Sequence, residues 1–150
     1  QTLVDAGVMT NGEYGLSVAG DGLITSVVIS AGVTNIGESA FANCFNLKTV
    51  TIQNGVEEIG WNAFKGCDKL EKIVIAETVS TIGFNAFDGC NALTEAVFKE
   101  PVGWTYSLSS EIATIPSKEL ANAKTAAELL KTQSYRGWQR LGEPEESTDD

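Results

Sequence analysis

Three cysteines, Cys44, Cys67 and Cys90, are the residues best suited by type to act as nucleophiles, redox centres or metal ligands. Their spacing of 23 residues does not resemble the Cys-x-x-Cys pairs of metal and redox sites, and the chain has no His to complete a ligand set. A general base would have to be Asp, Glu, Lys or a Cys activated by another partner. Glu57 and Glu58, the adjacent acidic pair beside Ile59-Gly60, fit a solvated turn better than a catalytic dyad. The glycines of Gly12-x-x-Gly15 and Gly20-Asp21-Gly22 lack the Lys and the helix start of a phosphate loop. These residues assign no catalytic group, no metal ligand and no cofactor, and they argue against an enzyme.

The charge balance narrows the partners. Twenty acidic and 10 basic residues among 150 give a net charge of −10, which repels polyanions, so nucleic acid is not an expected ligand. Residues 1–100 hold 12 acids and 5 bases, residues 101–142 hold 3 and 5, and residues 143–150 hold 5 acids and no base. That last stretch has nothing apolar to bury and is expected to be a disordered tail or a linker. No run of apolar residues approaches the length of a membrane span, and the N-terminus has no basic-then-apolar signal sequence. The chain begins at Gln1, which fits either removal of a leader or a segment of a longer protein.

What positions the cysteines is a repeat. Offset by 23 residues, the sequence aligns with itself in rows: Ile24, Leu47, Leu70 and Leu93; Val27, Val50, Ile73 and Ala96; Ile29, Ile52, Ile75 and Phe98; Val33, Val56, Val79 and Val102. Shorter rows follow: Ile36, Ile59 and Ile82; Gly37, Gly60 and Gly83; Ala40, Ala63 and Ala86; Phe41, Phe64 and Phe87; and the three Cys. In Leu70-Glu71-Lys72-Ile73-Val74-Ile75 apolar residues settle into alternation, the pattern of a short strand with one buried face. Ala63, Phe64 and Cys67 fall at helical spacings, so a short helical return is expected after the repeat Gly. One unit buries too little to offset its own ordering, and stacking must supply the rest. The Cys row is then best read as buried, reduced thiols beside the Phe row. Adjacent rungs would also allow a strained disulfide, with one thiol left over.

The string Ile36-Gly37-x-x-Ala40-Phe41-x-x-Cys44-x-x-Leu47, with its copies at 59–70 and 82–93, strongly resembles the BspA-like leucine-rich repeats. The resemblance covers about residues 24–102. It implies an α/β solenoid, a right-handed leucine-rich repeat superhelix with a parallel β-sheet on one face and short helical returns on the other. Members of the family are mostly bacterial surface or secreted proteins, and the characterised ones are associated with adhesion. The resemblance therefore implies an extracellular or cell-surface location.

Both ends of such a stack need covers. Residues 1–23 break the pattern and show turn signals at Asn11-Gly12 and Asp21-Gly22 around Tyr14, Leu16 and Val18, as for an N-terminal β-hairpin cap. At the other end Thr105 stands where the next Ile should be. Residues 103–142 then read as a helical C-terminal cap, with a helix over Thr125–Leu130, Thr125 and Glu128 at capping-box spacing, and Trp104, Tyr106, Tyr135 and Trp138 closing the core. The stretch from Gly103-Trp104 to Gly137-Trp138-Gln139-Arg140 resembles the segment that follows such repeats in related bacterial proteins.

Stacking turns variable positions into rows on a face. Val28, Thr51, Val74 and Val97, flanked by Ser26, Thr49, Lys72 and Glu95, form an outward ribbon that either binds a partner or reflects β-propensity alone. Lys48 with Glu71, and Lys72 with Glu95, are placed to pair across rungs. The position after the repeat Gly is Glu38, then Trp61, then Phe84; two aromatics there could grip a sugar or a protein, or simply cover each other. The expectation is a non-enzymatic binding module for a protein or glycan. The alternatives are a structural or assembly module of a larger surface protein or oligomer, and an accessory domain of an enzyme.

Overall fold

Alternation along each repeat separates an inner from an outer face. Val27 and Ile29, Val50 and Ile52, Ile73 and Ile75, and Ala96 and Phe98 are all buried, while the residue between each pair stays half-exposed. These pairs lie on strands β2 (Ser26–Ile29), β4 (Thr49–Ile52), β6 (Lys72–Ile75) and β8 (Glu95–Phe98). The structure, a computed structural model, describes residues 2–5, 24–108 and 110–141. With β1 (Thr2–Asp5) in front, the strands form one parallel sheet in the order β1-β2-β4-β6-β8. Val27 pairs with Val50, Val50 with Ile73, and Ile73 with Ala96, so the 23-residue offset of the sequence is the register of the ladder.

A second sheet, absent from the sequence-based expectation, runs along the stack. The repeat Ile closes the two-residue strands β3 (Asn35–Ile36), β5 (Glu58–Ile59) and β7 (Thr81–Ile82), which pair in parallel. Each rung therefore turns twice between its long strand and its short one.

The expected helical returns are not there. Within the first return, Ser39 and Asn43 have φ of 60° and 63°, and the equivalent positions in later rungs repeat this: Asn62, Asn85, Gly66 and Gly89 all have positive φ. A right-handed helix cannot run through such residues. Backbone donors instead alternate. The N–H groups of Ala40, Ala42 and Cys44 donate three residues back within the rung, whereas those of Ser39, Phe41 and Asn43 donate across to Trp61, Ala63 and Lys65. Asn62, Phe64 and Gly66 do the same to Phe84, Ala86 and Asp88. Ala63, Phe64 and Cys67 still face inward, as their spacing suggested, but on an irregular turn bonded to the next rung.

The C-terminal cover is mixed rather than purely helical. Strands β9 (Trp104–Leu108) and β10 (Glu111–Thr114) form an antiparallel hairpin, and helices α1 (Ser117–Leu120) and α2 (Ala123–Thr132) follow. Helix α2 packs its Ala126, Ala127 and Leu130 face against the last rung, beside β8. Its cap is Asn122, whose side chain accepts from the N–H groups of Lys124 and Thr125, so Thr125 lies inside the helix and is not the capping residue. Strand β11 (Trp138–Arg140) then inserts between β7 and β9, antiparallel to both. Trp104 and Trp138 are buried against Phe98 and Tyr106 packs on them, but Tyr135 is 58% exposed and closes nothing. Val102 keeps its row yet is only half-buried. The expected N-terminal hairpin and the acidic stretch 143–150 lie outside the described residues.

The core is a column of identical side chains. Phe64 stacks between Phe41 and Phe87, at centroid distances of 5.4 and 5.5 Å and interplanar angles of 3° and 12°. Phe64→Ala opens a cavity with neighbours on both sides and is expected to cost about 3–5 kcal/mol. Phe45→Ala, at an exposed position, should stay within about 0.5 kcal/mol of the parent. Urea unfolding of the two variants measures both.

Candidate functional site

The repeat Gly brings successive rungs into close approach, and the residue after it inherits an outward position. A Cβ on Gly83 would lie 2.5 Å from Cδ1 of Trp61 and 2.6 Å from its backbone nitrogen, so the indole rests over the glycine of the next rung. Phe84 repeats the arrangement on Gly137, where a Cβ would come within 3.3 Å of the ring. Gly137 belongs to the C-terminal cover, and with it the row continues past the end of the repeat. Trp138 correspondingly pairs with Ile82.

Trp61 and Phe84 meet edge to face, with centroids 5.7 Å apart and an interplanar angle of 78°. They cover each other only in part, since 56% of Trp61 and 42% of Phe84 remain exposed. Together they form an aromatic ledge along the short-strand sheet. A groove of about 370 Å³ runs beside it, floored by Glu58, Thr81 and Gln139 and bounded by Ile112. A second groove of about 380 Å³ lies on the other side of Trp61, against Asn35, Glu38 and Glu58. Glu58 thus sits on a strand and faces a groove, rather than in the turn expected of the Glu57-Glu58 pair.

Several residues of this surface were not singled out in the sequence. Gln139 arrives on β11 with Gly137 just ahead of that strand, and Ile112 on the β9–β10 hairpin, through pairings that no local pattern announces. Arg136 lies over the rings of Tyr106 and Tyr135, at 5.2 and 4.6 Å from their centroids, and donates to the Ser107 carbonyl and the Gln133 side chain. It braces the rim next to Phe84.

The ribbon is a separate face. Val28 pairs with Thr51, Thr51 with Val74, and Val74 with Val97, all half-buried on the outer side of the long-strand sheet. Lys72 and Glu95 pair at 3.5 Å, an exposed contact worth about 0–1 kcal/mol. Lys48 and Glu71 do not form the expected ion pair; Lys65 and Asp88 do, at 3.9 Å. Thr51 and Val74 line a shallow depression of about 450 Å³ with Gln53, Glu77 and Lys99. The candidate residues therefore divide between two sheets and do not form one site.

The rows that build these surfaces are matched by a family model. Six copies of the BspA type leucine rich repeat region cover residues 19–109. The chain belongs to the BspA-type leucine-rich repeat family. Among solved structures, a leucine-rich repeat protein from Eubacterium ventriosum is 18% identical over 75% of this chain and 43% of its own, with a TM-score of 0.39. A leucine rich cell surface protein from Faecalibacterium prausnitzii is 20% identical over 77% of this chain and 49% of its own, with a TM-score of 0.27. The chain spans under half the length of either. No curated protein matches it. Among the described residues, no helix is long and apolar enough to cross a membrane, and no group of His, Cys, Asp or Glu is placed to hold a metal ion.

In this leucine-rich repeat stack the cysteines are buried free thiols. Cys67 donates to the Phe41 carbonyl at 3.1 Å and Cys90 to the Phe64 carbonyl at 3.2 Å, so each sulfur ties its rung to the one before. Burial pushes the Cys90 thiol well above its usual range. The hydrogen bond shared with Cys44 lowers that of Cys67 despite burial, but a sulfur with no exposed surface meets no reagent. Treatment of the folded protein with a chromogenic disulfide reagent at neutral pH is expected to release no thiol signal, and all three cysteines should react in denaturant. Rapid labelling in the folded state would contradict the packing.

Proposed function

We infer that this chain is a non-enzymatic recognition module of a bacterial surface or secreted protein, and that it binds a protein or glycan through the Trp61–Phe84 ledge. One observation carries the reading. The apolar rows of the repeat are buried almost without exception, yet two large aromatics on successive rungs stay about half exposed beside a pair of grooves. Folding does not ask for them, since the first rung has Glu38 at the same position. Phe45 is equally exposed but stands alone in its row, where later rungs have Asp68 and Asn91.

Family membership supports a scaffold that presents residues rather than one that performs chemistry. The absence of His from the sequence supports it too, because a binding ledge needs no proton shuttle. The surface location rests on the family. The ribbon of Val28, Thr51, Val74 and Val97, with Lys72 and Glu95, is a second presenting face on the opposite sheet.

Replacing Trp61 and Phe84 together by Ser tests the reading. Because both rings already face solvent, the melting temperature should fall by only a few degrees, corresponding to about 1 kcal/mol. Binding in a screen of glycans and matrix proteins should be lost. Full binding by the double variant would remove the ledge from the account.

A further inference from the structure

The floor of the ledge groove has a composition of its own. Glu58, Thr81, Gln139 and Thr105 stand in register across β5, β7, β11 and β9, one from each strand, on the outer side of the short-strand sheet. They place a carboxylate, a carboxamide and hydroxyls in one row, with Trp61 and Phe84 rising along one edge and Ile112 on that same edge at the far end of the groove. Three strand spacings make the row about 14 Å long. We propose that this groove binds a neutral glycan, as a short oligosaccharide laid across the strands from Trp61 toward Ile112. The proposal rests on the recognition reading above and gives it a ligand class.

A sugar ring matches both parts of the groove. Its axial C–H groups form an apolar patch that packs on the electron-rich face of an indole or phenyl ring. Its hydroxyls both donate and accept, and the planar ends of Glu58 and Gln139 offer paired acceptors and an N–H₂ donor to meet them. The indole of Trp61 also borders the second groove with Glu38 and Asn35, so a chain longer than the first groove can continue past it over another polar row.

Charge selects within the class. Among the described residues Glu58 is the one acidic side chain lining the first groove; Glu38 joins it in the second, and no described Lys or Arg lines either groove. Sulfated, sialylated or uronic sugars would face these carboxylates on a chain that is itself acidic overall, while Arg136 at the rim is engaged with Ser107, Gln133 and Tyr135. An extended peptide is a poorer match. The backbone groups of β5, β7 and β11 are committed to neighbouring strands, so a peptide on this face cannot add as a strand. An amphipathic helix needs a continuous apolar trough, and this floor is polar.

The test is a calorimetric and fluorescence titration of the full chain with neutral oligosaccharides spanning the common hexose and N-acetylhexosamine linkages. A heparin oligosaccharide and enzymatically deglycosylated matrix proteins run in parallel. Trp61 is 56% exposed while Trp104 and Trp138 are buried, so a bound sugar should shift the emission of one tryptophan to shorter wavelength. Saturable binding of at least one neutral oligosaccharide is expected, weakened at least about tenfold by Trp61→Ala and by Gln139→Ala, and unchanged by Phe45→Ala, an exposed aromatic that lines neither groove. The Gln139 side chain is exposed and lies outside the core, so its variant keeps the test sound if Trp61→Ala loosens the stack. Binding of heparin alone, or of a deglycosylated protein alone through Trp61, would overturn the glycan assignment and leave the recognition reading standing. No binding in any arm would overturn both.

Discussion

The structure depends on one arrangement: the backbone groups of each rung are hydrogen-bonded to those of the rungs on either side of it. This holds in the long-strand sheet, in the short-strand sheet and along the turns between Gly37 and Cys44 and their copies, so that the rungs are joined on three sides. A buried peptide group without a partner costs roughly as much as a lost hydrogen bond, and a stack of this kind leaves a whole set of them at its last rung. The cover must therefore supply partners of both kinds, acceptors and donors, in the right places. Ser134 does so twice on the turn side, its carbonyl accepting from the Asn85 N–H and its hydroxyl from the Phe87 N–H. Strand β11 does so for the short-strand sheet, with Arg140 donating from its backbone to Ser80 and from its side chain to Glu77 and Val102.

Regular spacing of the backbone imposes regular spacing of the side chains, and the candidate site follows from that. Inward positions become columns, of which the Phe column is the largest and the Cys column the most closely hydrogen-bonded. The glycine column lets Trp61 and then Phe84 lie down on the following rung. Their neighbours across the groove come from the cover. The binding surface is thus assembled where the repeat meets its own termination, and the same strand that satisfies the last short-strand edge delivers Gly137 and Gln139 to it.

Much of this was legible in the residues. The rows from Ile24 to Val102 gave the long strands and their register, since a one-residue slip would have turned every column outward. The exposed positions of Trp61, Phe84 and the Val28 ribbon followed from the same rows. The turns were misread as helical because Ala63, Phe64 and Cys67 have the same spacing in either geometry. The residues that forbid the helix are Ser39 and Asn43 and their copies Asn62, Gly66, Asn85 and Gly89; Asn and Gly are the types that enter the left-handed region most readily, and the inward spacing of Ala, Phe and Cys outweighed that signal. The short strands escaped notice because two residues give no alternation to read. In the cover, a capping-box spacing drew attention to Thr125, while Asn122 three residues earlier holds the helix start. The groove itself was out of reach, because Glu58 and Gln139 come together only through antiparallel insertion of a strand more than fifty residues downstream of β7.

The claim that the turns are a third ladder and not loops is tested most directly by amide hydrogen exchange followed residue by residue. The N–H groups of Phe41, Asn43, Phe64 and Gly66, which lie outside any helix or strand, should exchange as slowly as those of the buried β4 and β6 strands and open only with the whole stack. Exchange of these four amides at the rate of exposed loops, with the strand amides still protected, would contradict the account.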